Sequence, residues 1–153
     1  MTRVLANGLE HNVLEWNAAS DAKPRGAVLL VHGFMDAAAT WDRVAPKLAA
    51  AGLRVLAPDM RGFGEGARVA PGGYYHFVDY VFDLADLALA LSPEPFALVG
   101  HSMGGTVATM LAGTFPERVT RLVSMEGLGP PDHGFDAAPV RMRAWIEQVR
   151  ALR

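Results

Sequence analysis

Apolar residues gather in short runs separated by stretches in which they recur every three or four positions. Ala27-Val-Leu-Leu-Val31 lies between Gly26 and Gly33 and is rich in branched side chains, the pattern of a strand buried on both faces. Leu53 to Ala57, Phe96-Ala-Leu-Val99 and Val119 to Met125 repeat it. Between them, Trp41, Val44, Ala45 and Leu48 mark one amphipathic helix closed at Gly52. Val78, Val81, Phe82, Ala85 and Leu89 define the face of a second, stopped by Ser92-Pro93. Val107, Met110, Leu111 and Thr114 define a third, ended near Pro116.

Strands alternating with helices at these lengths predict an α/β fold: an open, mostly parallel sheet whose right-handed crossovers place helices on both faces. Ahead of it, two short apolar runs flank Asn7-Gly8, a strong signal for a tight turn, so an antiparallel hairpin opens the domain. After Gly127 the chain is loop-like through Pro130-Pro131. Ala138 to Leu152 resumes as a helix with Val140, Trp145, Ile146 and Val149 on one side. Residues 1–136 therefore read as the N-terminal part of a core, and residues 137–153 as the start of a cap helix.

Composition removes several function classes. The 14 Lys and Arg against 16 Asp and Glu form no basic run, which disfavours nucleic acid as a partner. Without cysteine there is no disulfide framework, thiolate zinc site or iron–sulfur ligation. No stretch approaches the ~20 apolar residues of a membrane span, and the N-terminus lacks a signal-peptide core, so the expectation is a cytoplasmic protein without membrane contact. The 12 Arg against 2 Lys point to a GC-rich bacterial genome.

In sheets of this kind reactive groups collect at the carboxyl ends of the strands. Gly100-His-Ser102-Met-Gly104-Gly105 stands at such an end, between a buried strand and a helix. Gly-x-Ser-x-Gly occurs by chance in about 4% of chains of this composition; its place at a strand-to-helix junction is what gives it meaning. There the serine takes a strained backbone with its hydroxyl projecting outward, side chains two residues either side would collide, and the helix aims free N–H groups at the site.

With His32-Gly33-Phe34 after one strand and Asp59-Met-Arg-Gly-Phe-Gly64 after the next, the chain resembles the α/β-hydrolase superfamily along essentially its whole length. The resemblance implies a nucleophilic Ser102 and an oxyanion hole built from the backbone N–H groups of Phe34 and Met103, with no cofactor. It also implies that His32 and His101 support the loops, together with Gly33, Gly100 and Gly104, rather than act as bases. Asp59 and Arg61 read as residues that pin turns and loops. Serine at 102 argues against the haloalkane dehalogenase and epoxide hydrolase branches, whose nucleophile is a carboxylate.

A serine triad also needs a histidine and an acid. The superfamily draws that histidine from beyond its last strand, and His11, His32, His76, His101 and His133 do not follow the order Ser, acid, His with strands between. Glu126, directly after the fourth parallel strand, stands where some haloalkane dehalogenases carry their acid; the alternative is a strand-ending carboxylate that binds loop N–H groups. The expectation is a serine hydrolase for a small carboxylic ester or related acyl substrate, working with the C-terminal remainder of the same hydrolase. Tyr74, Tyr75, Phe77, Leu128 and Phe135 are candidates for an apolar pocket. The rival reading is a hydrolase-derived module that binds a ligand or partner without turnover.

Overall fold

The computed structural model describes residues 2–18, 23–127 and 137–151. Strands β1 (Thr2–Ala6) and β2 (Leu9–Trp16) form the antiparallel hairpin, turning through Asn7 and Gly8 with φ of 46° and 73°. Two consecutive positive φ values match the right-handed twist of the paired strands, which is why Asn-Gly serves there. The remaining strands are β3 (Ala27–Val31), β4 (Arg54–Pro58), β5 (Phe96–His101) and β6 (Val119–Met125). Their order across the sheet is β1-β2-β4-β3-β5-β6, with β4, β3, β5 and β6 parallel and β2 antiparallel to β4.

The period-two alternation of β3 feeds two separate cores. Leu29 and Val31 face helices α2 (Phe77–Leu91) and α3 (Met103–Thr114), packing with Leu56, Leu84, Leu87, Leu98, Val107 and Leu111. Val28 and Leu30 face the other way, against Trp41, Ala45 and Ala49. Helices therefore cover both faces, as the apolar runs require.

Two elements differ from the periodicity reading. The stretch from Trp41 to Leu48 is not one helix but a 3-10 segment (Ala38–Arg43) followed by α1 (Ala45–Ala50). Pro46 has no N–H and its ring would clash with the carbonyl of Asp42, so the chain tightens to a Val44 N–H to Trp41 carbonyl bond and restarts with proline in the first turn. In α2 the face read from Val78, Val81, Phe82, Ala85 and Leu89 is split: Val81 and Ala85 pack half-buried against the core, while Val78, Phe82 and Leu89 are 64%, 55% and 64% exposed. The buried face is Tyr80, Leu84, Leu87 and Leu91, and it includes a charged residue, Asp83. Asp83 is accommodated there by its ion pair with Arg61.

Strand β6 is the last in the sheet order, and Leu122, Val123 and Met125 are partly exposed along it. Helix α4 (Ala137–Ala151) closes the described residues. Within them, no helix is long and apolar enough to cross a membrane.

Candidate active site at the carboxyl ends of the strands

Ser102 joins β5 to α3 with φ 51° and ψ −118°, outside the regions that L-residues favour. Such a conformation costs about 1–3 kcal/mol and persists only where its surroundings enforce it. Enforcement comes from glycine. A Cβ on Gly100 would stand 2.6 Å from the Gly104 carbonyl carbon and 2.7 Å from Gly105 Cα, and a Cβ on Gly104 would run into the carbonyls of Val31 and His32. The two glycines let α3 descend onto the ends of β3 and β5. The Ser102 N–H donates to the Met125 carbonyl at 2.8 Å, tying the elbow to the end of β6.

Among the described residues, four that are not glycine have positive φ: Asn7 in the hairpin turn, and Met35, Ser102 and Glu126. The last three follow β3, β5 and β6 respectively, on one edge of the sheet. Backbone strain therefore gathers around the elbow. Glu126 is exposed, and the turn that carries it is pressed onto α3, since a Cβ on Gly127 would meet Gly105 Cα at 2.6 Å.

The loop after β3 passes directly over the serine: a Cβ on Gly33 would lie 3.0 Å from His101 Nδ1 and 3.4 Å from Ser102 Cβ. Phe34, the next residue, is 64% exposed on the site face. Met103 opens α3, so its N–H has no acceptor within the helix. The Ser102 hydroxyl is half-buried and has no hydrogen-bond partner among the described residues.

The histidines are placed differently. His32 is fully buried, and its Nε2 accepts the Met60 N–H at 3.0 Å, which puts the ring proton on Nδ1, donating to the Gly33 carbonyl at 2.7 Å. Burial lowers its pKa below the ordinary value, against the opposing hydrogen bond to Gly33. Both nitrogens are occupied, so His32 braces the loops. His11 is buried between β2 and α2, His76 precedes α2, and His101 lies against Gly33. His133, Leu128 and Phe135 lie outside the described residues.

A stability effect follows. Because the folded pKa of His32 lies below its unfolded value of about 6.5, the unfolded chain binds more protons in that window. The contribution of neutral His32 is complete above pH 6.5 and is lost as pH falls through the lowered value, with a slope of at most about 1.4 kcal/mol per unit. Urea unfolding between pH 7.5 and 5 should show this decline, and His32→Gln should flatten it.

Asp59 joins the loops behind the site. Its Oδ1 accepts the Ala38 N–H at 2.6 Å, and its Oδ2 accepts Asn12 Nδ2 at 2.8 Å and the Glu65 N–H at 3.0 Å. Arg61 forks onto Asp83 and reaches Asp79 Oδ2 at 3.0 Å. Both residues pin loops, in keeping with the turn-and-loop expectation for them.

Beside the elbow, Phe34, Tyr75, Phe77, Tyr80 and Met103 line an open crevice of about 380 Å³. Tyr74 turns elsewhere, its ring 5.8 Å from that of His76. Tyr80 is absent from the helical face read from the sequence; its register with Leu84 and Leu87 is the signal that places it inward. Burial raises its phenol pKa.

Residues 26–150 match the family model described as alpha/beta hydrolase fold. The chain belongs to that family. A serine hydrolase-like protein of Dictyostelium discoideum is 34% identical over 102 residues, covering 67% of this chain and 28% of that protein. A 2-hydroxymuconate semialdehyde hydrolase of a Pseudomonas species is 42% identical over 133 residues, covering 82% of this chain and 46% of the relative. Among solved structures, a hypothetical protein from Pseudomonas aeruginosa superposes with a TM-score of 0.85 at 38% identity, over 99% of this chain and 52% of that one. The α/β-hydrolase chain thus spans about half, or less, of the proteins it matches.

Proposed function

We propose that this α/β-hydrolase chain carries the nucleophile and oxyanion hole of a serine hydrolase for a carboxylic ester or related small acyl substrate. The observation that carries the reading is Ser102, held at φ 51° between β5 and α3 with its hydroxyl free of partners among the described residues. A structural turn has no use for a strained serine where glycine would be relaxed. Ser102 Oγ attacks the carbonyl carbon, and the N–H groups of Phe34 and Met103 stabilise the resulting oxyanion, each contributing about 3–4 kcal/mol in sites of this kind. The helix dipole of α3 adds to that field.

A histidine takes the serine proton and returns it to the leaving group. None of the described histidines is hydrogen-bonded to Ser102, and the relatives are about twice as long, so we place that histidine in the C-terminal remainder of the same hydrolase. We assign the orienting acid to Glu126, in the positive-φ turn that follows β6. Water then releases the acyl group. The hydrolase names of the relatives support the reaction class.

Labelling with a serine-directed fluorophosphonate tests the proposal. The chain supplied with its downstream segment should take up one equivalent of probe at Ser102, read by intact mass, and Ser102→Ala should take up none. Absence of labelling in the wild-type protein would favour a non-catalytic binding module.

A further inference from the structure

We infer that two copies of this chain pair through the outer side of α2, with Phe82 of each copy seated in a cavity of the other. The cavity holds about 230 Å³ and is walled by Ala85, Ala88, Leu89, Phe96, Leu111 and Phe115. It lies between α2 and α3 where β5 begins and α3 ends, at the opposite edge of the sheet from Ser102. Alanines at 85 and 88 leave space that larger side chains would fill. An apolar cavity of about 150 Å³ takes a benzene ring, so this one admits the benzyl group of a phenylalanine. The matching group stands on the same helix. Phe82 projects from α2 one turn before Ala85, with more than half of its surface exposed. From Phe82 to Ala88 is six residues, roughly 9 Å along the axis. A two-fold axis through Ala85, with the α2 helices antiparallel, carries each ring onto the other copy's cavity, and the small side chain at the crossing lets the helices approach.

Charge and area favour a second copy as the occupant. The stripe Val78, Val81, Phe82, Ala85 and Leu89 carries no charge, so two copies of it meet without repulsion. The carboxylates of α2 are turned aside: Asp79 and Asp83 hold Arg61, and Asp86 accepts the Asn7 N–H at 2.9 Å. At the far rim Arg118 stands 5.9 Å from the Phe96 ring and donates to the Pro93 carbonyl at 2.7 Å, beside Glu117, which gives the patch a polar border. The exposed parts of Val78, Phe82, Leu89 and Phe115 amount to on the order of 400 Å² of apolar surface, the size of patch that marks an interaction site on a monomer. One patch from each copy, with the cavity walls, buries about 1,000 Å², the lower limit for a specific interface, so the dimer is reversible. Strand pairing beyond β6 leaves the stripe uncovered, because α2 packs between β1 and α3 while β6 lies on the other side of α3.

Sedimentation velocity of the chain supplied with its downstream segment, from about 5 to 500 μM, should show a reversible monomer–dimer equilibrium with a Kd on the order of 50 μM. Phe82→Glu, which would put a carboxylate into each apolar cavity, should weaken pairing at least about thirty-fold and leave monomer throughout. Phe82 lies outside the buried core, so this variant keeps its fold, and a thermal melt matching the parent checks that. A second variant reads the crossing point. These 153 residues contain no cysteine, so Ala85→Cys, with any thiol of the downstream segment replaced by serine, introduces a single one. Thiols facing each other across the two-fold axis come within disulfide reach. Under mild oxidation they should cross-link about ten-fold faster than those of Leu5→Cys, at an exposed position on β1. Monomer at every concentration, a dimer that Phe82→Glu leaves intact, or cross-linking at Ala85 no faster than at Leu5 overturns the assignment.

Discussion

Gly104→Ala is expected to destabilise the protein by about 3 kcal/mol or more and to abolish probe uptake at Ser102. The reason is what the added methyl meets. A Cβ at this position would stand 2.7 Å from the Val31 carbonyl carbon and still closer to the carbonyl oxygens of Val31 and His32. These are backbone atoms of β3 and the residue after it, so no rotamer change relieves the clash. Helix α3 must lift away from the sheet instead, carrying the Met103 N–H away from the Phe34 loop. Gly113 is the contrast within the same helix, since a Cβ there meets nothing within 4 Å. Gly113→Ala should therefore gain about 0.5–1 kcal/mol from helix propensity alone. Urea unfolding of both variants measures the difference. A Gly104→Ala protein within about 0.5 kcal/mol of the parent, the margin for substitutions that disturb nothing, would show that α3 does not need its present approach to β3.

The order of strands and helices was legible because fully buried strands must be apolar throughout. Ala27–Val31 and Phe96–Val99 have no polar position that would allow another reading. The elbow was legible because two glycines and a serine at fixed spacing, set at a strand end, have few structural alternatives. Periodicity failed where two explanations fit it equally. On α2 apolar residues extend past the buried face, so Val81 and Ala85 were read correctly and Val78, Phe82 and Leu89 were not; the centre of the inner face is disguised by Asp83, a residue whose burial makes sense only once Arg61 is seen against it. The split before α1 was written in Pro46, which the pattern Trp41, Val44, Ala45, Leu48 passes over. The crevice was half legible: Tyr75 and Phe77 were named from their chemistry, whereas Tyr80 required the register of α2 and Phe34 was read only for its backbone.

The Arg61–Asp83 pair sets the second large effect, because Asp83→Leu should cost about 3–5 kcal/mol while the double variant Arg61→Met, Asp83→Leu recovers most of it. Both partners are buried, with 7% of the Arg61 side chain and none of Asp83 exposed. Hydrogen bonds that the guanidinium donates to Asp83 raise its pKa, against burial, so Arg61 stays charged across the working pH range. Removing the carboxylate alone leaves that charge inside the protein with Asp79, and it frees Asn7 Nδ2, which donates to Asp83 at 2.9 Å. Removing both charges leaves no buried cation; the Asn7 amide and the buried His11 ring lose Asp83, and the Asp79 carboxylate, 30% exposed, turns to water, together a smaller penalty. A double-mutant cycle by urea unfolding isolates the coupling, and additive losses, or a single loss below about 1 kcal/mol, would contradict it. The consequence reaches the site through sequence. Arg61 is two residues from Phe63, whose ring lies against Phe34 and His32. A freed Arg61 loosens the loop that supports the Phe34 N–H, so Asp83→Leu should slow labelling of Ser102 even at temperatures where the fold persists, and the double variant should restore part of the rate.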